Sequence, residues 1–190
     1  MHSTTKMKNI PNILTLSRIV LIPCFVVCYY WPYSQAPLVS AAIFGLAAFT
    51  DWLDGYIARR LDLVSPFGAF LDPVADKLMV VTVLVVLLQT NPEIILAFPI
   101  AIIIGREITV SALREWMAEL GTRKVVKVSA LGKWKTALQM ISIIMLLAGE
   151  SSILPEWIWP LGLGFLYLAG IMTFWSMVLY LKAAWPLLDW

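Results

Sequence analysis

Gly68-Ala69-Phe70-Leu71-Asp72-Pro73-Val74-Ala75-Asp76-Lys77 runs straight into Leu78-Met79-Val80-Val81-Thr82-Val83-Leu84-Val85-Val86-Leu87-Leu88. The second half carries no charge and is apolar at every position but Thr82, so a helix built from it is hydrophobic all round and has to be buried in protein or lipid. The first half places Asp72 and Asp76 at four-residue spacing, on one helical face, at the mouth of that apolar run. Ionisable groups are costly in such a setting and usually serve a function.

The rest of the chain repeats this theme. Of 190 residues 61% are hydrophobic and 14% charged, against about 45–50% and 25% in soluble domains, and the mean hydropathy is +0.84. That balance excludes a water-soluble globule, a disordered chain and a nucleic-acid binder, and it identifies an all-α integral membrane protein. At roughly 20 residues per span the length holds about six or seven helices and no separate soluble domain. Hydrophobic segments are expected at about 12–31, 36–59, 69–90, 94–120, 129–149 and 158–182, separated by the turn-forming stretches Trp31-Pro32-Tyr33-Ser34, Asn91-Pro92, Gly121-Thr122-Arg123 and Gly149 through Pro155. The connections are short and nothing repeats, so residues 1–190 read as a single domain.

Basic residues orient the helices. With the amino terminus inside, the cytoplasmic loops and helix ends collect Lys6, Lys8, Arg59, Arg60, Arg123, Lys124, Lys127, Lys133, Lys135 and Lys182, while the opposite loops hold Glu93, Glu150 and Glu156. Both termini are then cytoplasmic. Tyr29, Tyr30, Trp31 and Tyr33, and again Trp157 and Trp159, gather at the outer boundary, where amphipathic rings settle. Residues 1–11 are too short to span and read as an interfacial segment leading into an uncleaved first span. Cys24 and Cys28 have no nearby His and offer neither a zinc set nor a disulfide framework. His2 carries no assigned role.

The second span ends in Asp51-Trp52-Leu53-Asp54-Gly55-Tyr56-Ile57-Ala58-Arg59. Asp51 and Asp54 share a face, which Gly55, Ala58 and Arg59 extend toward the cytoplasm. The loop to the third span is only long enough for an antiparallel helix pair, so Asp51, Asp54, Asp72 and Asp76 are expected at one depth. Four ionised acids repel unless positive charge lies among them, and hard oxygen donors without His or Cys suit one or two ions of Mg²⁺, Mn²⁺ or Ca²⁺. Gly55, Ala58 and Gly68 leave room beside them for a bulky ligand or a second helix, and Arg59 offers a fork for phosphate. Pro73 is expected near enough to the helix start that its missing N–H costs little. Singly, Asp54 with Arg59 reads equally well as a surface ion pair; four acids together do not. A cation transporter or channel also uses intramembrane acids, but those sites lie near the midplane, not at the inner boundary.

The pattern Asp51-x-x-Asp54-Gly55-x-x-Ala58-Arg59, then eight residues, then Gly68-x-x-x-Asp72-x-x-x-Asp76 resembles the signature of the CDP-alcohol phosphotransferase family at every position. Asn9 through Arg18, Arg106-Glu107-Ile108 and Gly132 through Gln139 are similar to the family's bacterial phosphatidylglycerophosphate synthase branch. The resemblance implies a homodimeric six-helix enzyme of the bacterial inner membrane, with its site facing the cytoplasm, that moves the phosphatidyl group of CDP-diacylglycerol to sn-glycerol 3-phosphate and releases CMP. It implies two Mg²⁺ or Mn²⁺ ions on Asp51, Asp54, Asp72 and Asp76, with Asp76 also the general base. It also implies a cytidine-nucleotide site at Asp54, Gly55, Ala58, Arg59 and Gly68. Other acceptors in such enzymes are inositol phosphate, serine or phosphatidylglycerol.

An acceptor that carries its own phosphate needs further cations. Arg106 and Arg114 lie eight apart on nearly one face of the fourth span, Arg114 about 12 Å nearer the cytoplasm at 1.5 Å per residue. Arg114 and Lys135 are put first for that phosphate, with Arg106, Arg18 and Lys133 behind them; the competing reading of Arg106 is an ion pair with a neighbouring acid. Arg123, Lys124 and Lys127 are assigned to topology or to anionic lipids. Lys77 either balances the acids or points to headgroups.

Overall fold

Long apolar runs interrupted only by Pro, Gly and Asn have one way to satisfy their backbone away from water, which is to bond it internally as helix. A computed structural model describes residues 10–61, 66–119 and 130–185, with side chains described in those ranges except at 10–15, 52, 54–61, 66–70, 72, 118 and 130–133. The described residues form α1 Ile10–Tyr30, α2 Ala36–Leu61, α3 Pro66–Thr90, α4 Ile94–Glu119, α5 Ala130–Gly149 and α6 Ile158–Ala184, and contain no strand. Their boundaries follow the breaks expected from sequence. Residues 1–9 lie outside the description, including Lys6, Lys8 and His2, as do Arg123, Lys124 and Lys127.

Two local expectations change. Helix α1 already begins at Ile10, so the last two positions of the expected interfacial segment belong to a helix; Pro11 sits in its first turn, where no N–H is needed. Pro73 is not near a helix start: α3 begins at Pro66, and Pro73 is an interior residue. Its ring removes the bond to the carbonyl four residues back and favours a kink. Pro23 and Pro99 are likewise interior, in α1 and α4.

By length and composition, Pro73–Thr90, Ile94–Met117 and Ile158–Ala184 are long and apolar enough to cross a membrane, while Leu16–Tyr30, Ala36–Asp51 and Trp134–Gly149 are shorter apolar stretches. Ile94, Phe98, Ile108, Ile171 and Trp175 are exposed, a surface suited to lipid and not to water. Inside, every helix contributes to one apolar core, through Phe25, Phe44, Leu84, Ile103, Leu146 and Leu166 among others.

The most extensive packing is between α5 and α6, and Gly162 explains it. A Cβ placed there would lie 2.9 Å from Met145 Cβ and 3.1 Å from the Leu146 backbone nitrogen, so only glycine lets the two backbones come this close. Ser142 Oγ donates to the Gly162 carbonyl at 2.9 Å across the same seam. At one end of the bundle a polar knot forms around Glu150, which accepts from Tyr29 Oη at 2.6 Å and Asn91 Nδ2 at 2.6 Å. Tyr29 Oη also lies 2.8 Å from Thr90 Oγ1. The charged residues of α1 to α5 discussed next occupy the other end.

Candidate active site

Asp51, near the end of α2, meets Arg18 of α1: Arg18 Nη1 donates to Asp51 Oδ1 at 2.5 Å. The two partners differ in environment, for the Arg18 side chain is 2% exposed and that of Asp51 42%. A buried guanidinium requires a counter-charge, and Asp51 supplies it while keeping a face open to an incoming ligand. Asp76, half-buried on α3, has Asp51, Arg18, Glu107 and Lys77 as its charged neighbours. Lys77 donates to Ser111 Oγ on α4, and its ammonium is a charged neighbour of Asp76.

A second group assembles one helix further on. Arg106 Nη1 and Lys135 Nζ both donate to Oε1 of Glu107, at 2.9 and 3.2 Å. Lys135 is buried among these groups, with Glu107, Arg106 and Arg114 as its charged neighbours. Arg114 donates through Nη2 to Tyr180 Oη of α6 at 2.7 Å, with its guanidinium carbon 5.2 Å from the ring centroid. A planar cation over an aromatic face is held in orientation as well as in place.

The structure therefore brings together three of the five residues expected at an acceptor phosphate, Arg106, Arg114 and Lys135. Arg18 is joined to the carboxylates, and the side chain of Lys133 lies outside the described residues. The ion-pair reading of Arg106 is present as well, through Glu107. Tyr180 is absent from the sequence-based expectations, and Glu107 enters them only within the stretch Arg106-Glu107-Ile108, with no role of its own. A pairing 28 positions long between Lys135 and Glu107 has no local signature, and Tyr180 sits in a helix so evenly apolar that it reads as lipid-facing. The one available signal was the presence of Lys135 itself, since a cation in an apolar helix calls for an acid.

Of the expected metal ligands, Asp51 and Asp76 are brought into each other's electrostatic range. The side chains of Asp54 and Asp72 lie outside the described residues, as do those of Gly55, Ala58, Arg59 and Gly68. Among the described residues no group of three or more His, Cys, Asp or Glu forms a metal site. The donor chemistry fits a hard divalent ion nevertheless: carboxylate oxygens of like charge, one of them well exposed, with no His or Cys beside them among the described residues. Cys24 and Cys28 are free thiols on α1.

What results is a site with two chemical characters, acidic around Asp51 of α2 and Asp76 of α3 and cationic around Arg106, Arg114 and Lys135 of α4 and α5, with Glu107 a charged neighbour of both. Carboxylates of this kind suit a hard cation, and the cations beside them suit an anion. Comparison with known proteins identifies the family. A family model for CDP-alcohol phosphatidyltransferases matches residues 8–181. A Pseudomonas fluorescens protein named CDP-diacylglycerol–glycerol-3-phosphate 3-phosphatidyltransferase is 52% identical over 179 residues, covering 94% of this chain and 91% of its own. Proteins of the same name from Sodalis glossinidius and Haemophilus influenzae are 50% and 47% identical over 176 residues each, covering 93% of this chain and 94% and 93% of their own lengths.

Proposed function

Because the chain belongs to the CDP-alcohol phosphatidyltransferase family, we propose that it transfers the phosphatidyl group of CDP-diacylglycerol to sn-glycerol 3-phosphate, giving phosphatidylglycerophosphate and CMP. The observation that carries this reading is the juxtaposition of Asp51 and Asp76 with the Arg106, Arg114 and Lys135 group, joined through Glu107. A donor with a pyrophosphate and an acceptor with a phosphate need those two characters side by side.

Asp51, Asp54, Asp72 and Asp76 would hold two Mg²⁺ or Mn²⁺ ions, whose charge, when bound, offsets the negative charge that builds on both phosphates and on the leaving oxygen. Asp54, Gly55, Ala58, Arg59 and Gly68 accommodate the cytidine nucleotide. Arg114 and Lys135, helped by Arg106, fix the acceptor phosphate and so aim its hydroxyl at the diacylglycerol-linked phosphorus. Asp76 takes the hydroxyl proton as the new phosphorus–oxygen bond forms and the bond to CMP breaks. Holding both reactants in line removes much of the entropic cost of a two-substrate step.

In this reading the chain is one domain of six transmembrane helices with both termini cytoplasmic, working as a homodimer in the bacterial inner membrane and contacting anionic lipids. The positive-inside pattern supports the orientation. The lipid donor arrives sideways within the bilayer and the soluble acceptor from the cytoplasm, and a site at that boundary meets both. The test is an acceptor panel: purified protein with Mg²⁺ or Mn²⁺ and CDP-diacylglycerol is offered sn-glycerol 3-phosphate, inositol phosphate, serine or phosphatidylglycerol. CMP release is expected with the first; preference for any other overturns the acceptor assignment.

A further inference from the structure

We propose that Glu107 is a positioning residue for the acceptor: it sets the spacing and net charge of the cations that receive the acceptor's phosphate. The inference rests on the acceptor assignment above. One oxygen, Oε1 of Glu107, accepts from cations on two different helices, Arg106 of α4 at 2.9 Å and Lys135 of α5 at 3.2 Å. Both cations are largely withdrawn from solvent, with side-chain exposures of 13% and 4%. Without an acid between them two buried positive groups repel and turn apart. Shared on one oxygen, they are held as a pair with a defined separation.

The pair still has donors to spend. An ammonium has three N–H groups and a guanidinium five, and Arg106 Nε is buried with no hydrogen-bond partner. Arg114 completes the group as a charged neighbour of Lys135. Three positive side chains less one negative leave a net charge of two, which matches a phosphate monoester carrying about −1.5 to −2 near neutral pH. Glu107 is also a charged neighbour of Asp76. The same residue therefore relates the place where the acceptor's phosphate docks to the carboxylate that takes its hydroxyl proton, and a displaced phosphate carries the hydroxyl out of line.

Glu107→Gln keeps the size and removes the charge; Glu107→Asp keeps the charge and shortens the reach by one methylene. Loss of charge-assisted bonds of this kind corresponds to about a 10- to 100-fold change. The expected result for Glu107→Gln is a KM for sn-glycerol 3-phosphate raised by that factor, with the KM for CDP-diacylglycerol altered less than about twofold. Glu107→Asp, which preserves the ion pairing and is the variant better suited to folding, is expected to recover part of the acceptor affinity. Thermal unfolding of each variant is followed in parallel. An unchanged or lowered acceptor KM in Glu107→Gln overturns the proposal, because charge damping alone would tighten an anion. Equal losses toward both substrates in Glu107→Asp overturn it too, since a merely structural residue behaves that way. Wild-type turnover of sn-glycerol 3-phosphate is measured first: its absence refutes the acceptor assignment and this inference with it, whereas wild-type turnover with unmoved variants refutes Glu107's role alone.

Discussion

Gly162→Ala puts a single methyl group into the close seam between α5 and α6. The new Cβ would stand 2.9 Å from Met145 Cβ, 3.1 Å from the Leu146 backbone nitrogen and 3.3 Å from Leu146 Cγ. Two of those atoms are rooted in the α5 backbone, so no rotamer change relieves the contact and the helices have to separate. Overpacking of this sort costs about 1–3 kcal/mol. The separation also stretches the 2.9 Å bond from Ser142 to the Gly162 carbonyl, worth about 0.5–1.5 kcal/mol, for a combined loss of roughly 1.5–4.5 kcal/mol. Gly164, two positions along the same helix, is the control, since a Cβ there meets nothing within 4 Å; alanine gains up to about 1 kcal/mol of helix preference. Equilibrium unfolding in mixed micelles, followed by tryptophan fluorescence and far-UV circular dichroism, measures both variants. Gly162→Ala within about 0.5 kcal/mol of wild type, where ordinary surface substitutions fall, or Gly164→Ala equally damaging, would refute the reasoning.

The remaining predictions concern the site and the membrane topology. Tyr180→Phe removes the hydrogen bond to Arg114 but keeps the ring beneath it, so the acceptor KM should rise about 2- to 12-fold with the donor KM unmoved in steady-state kinetics. Asp76→Asn should lower CMP release by about 10²-fold or more, while binding of CDP-diacylglycerol, read by equilibrium dialysis against labelled lipid, persists. Chelation with EDTA should abolish turnover and either Mg²⁺ or Mn²⁺ restore it, as measured by CMP release. With Cys24 and Cys28 first replaced by Ala, a cysteine at Ser34 or Ser152 should react with a membrane-impermeant maleimide in intact spheroplasts, and one at Lys182 only after permeabilisation.

The helices were legible because their breaks are chemical: Asn91-Pro92 and the Gly149 to Pro155 stretch end helices for reasons that act within a few residues. The depth of Pro73 was not: Ser65-Pro66 is itself a helix-start signal, but Gly68 and Asp72-Pro73 just beyond it read as a later start and outweighed it. Asp51 and Asp76 were legible as a pair through their spacing to other acids on the same faces and the shortness of the loop between their helices. Glu107 next to Arg106 reads as a trivial neighbouring charge, and its meaning comes from Lys135 on a helix whose approach no local rule dictates. Tyr180 was hidden differently. Helix α6 has apolar residues on every side, so nothing in its periodicity separates the phenol that holds Arg114 from rings that face lipid.

The knot around Glu150 ties α1, the turn after α3 and the end of α5 through Tyr29, Thr90 and Asn91. Arg18 lies eleven residues before Tyr29 on α1, about 16 Å along the helix axis. The first helix is thus tied to its neighbours by polar bonds toward both ends of its described length, through Tyr29 at one extremity and through Arg18 to Asp51 at the other, so a substitution at either tie is felt along the same rigid rod.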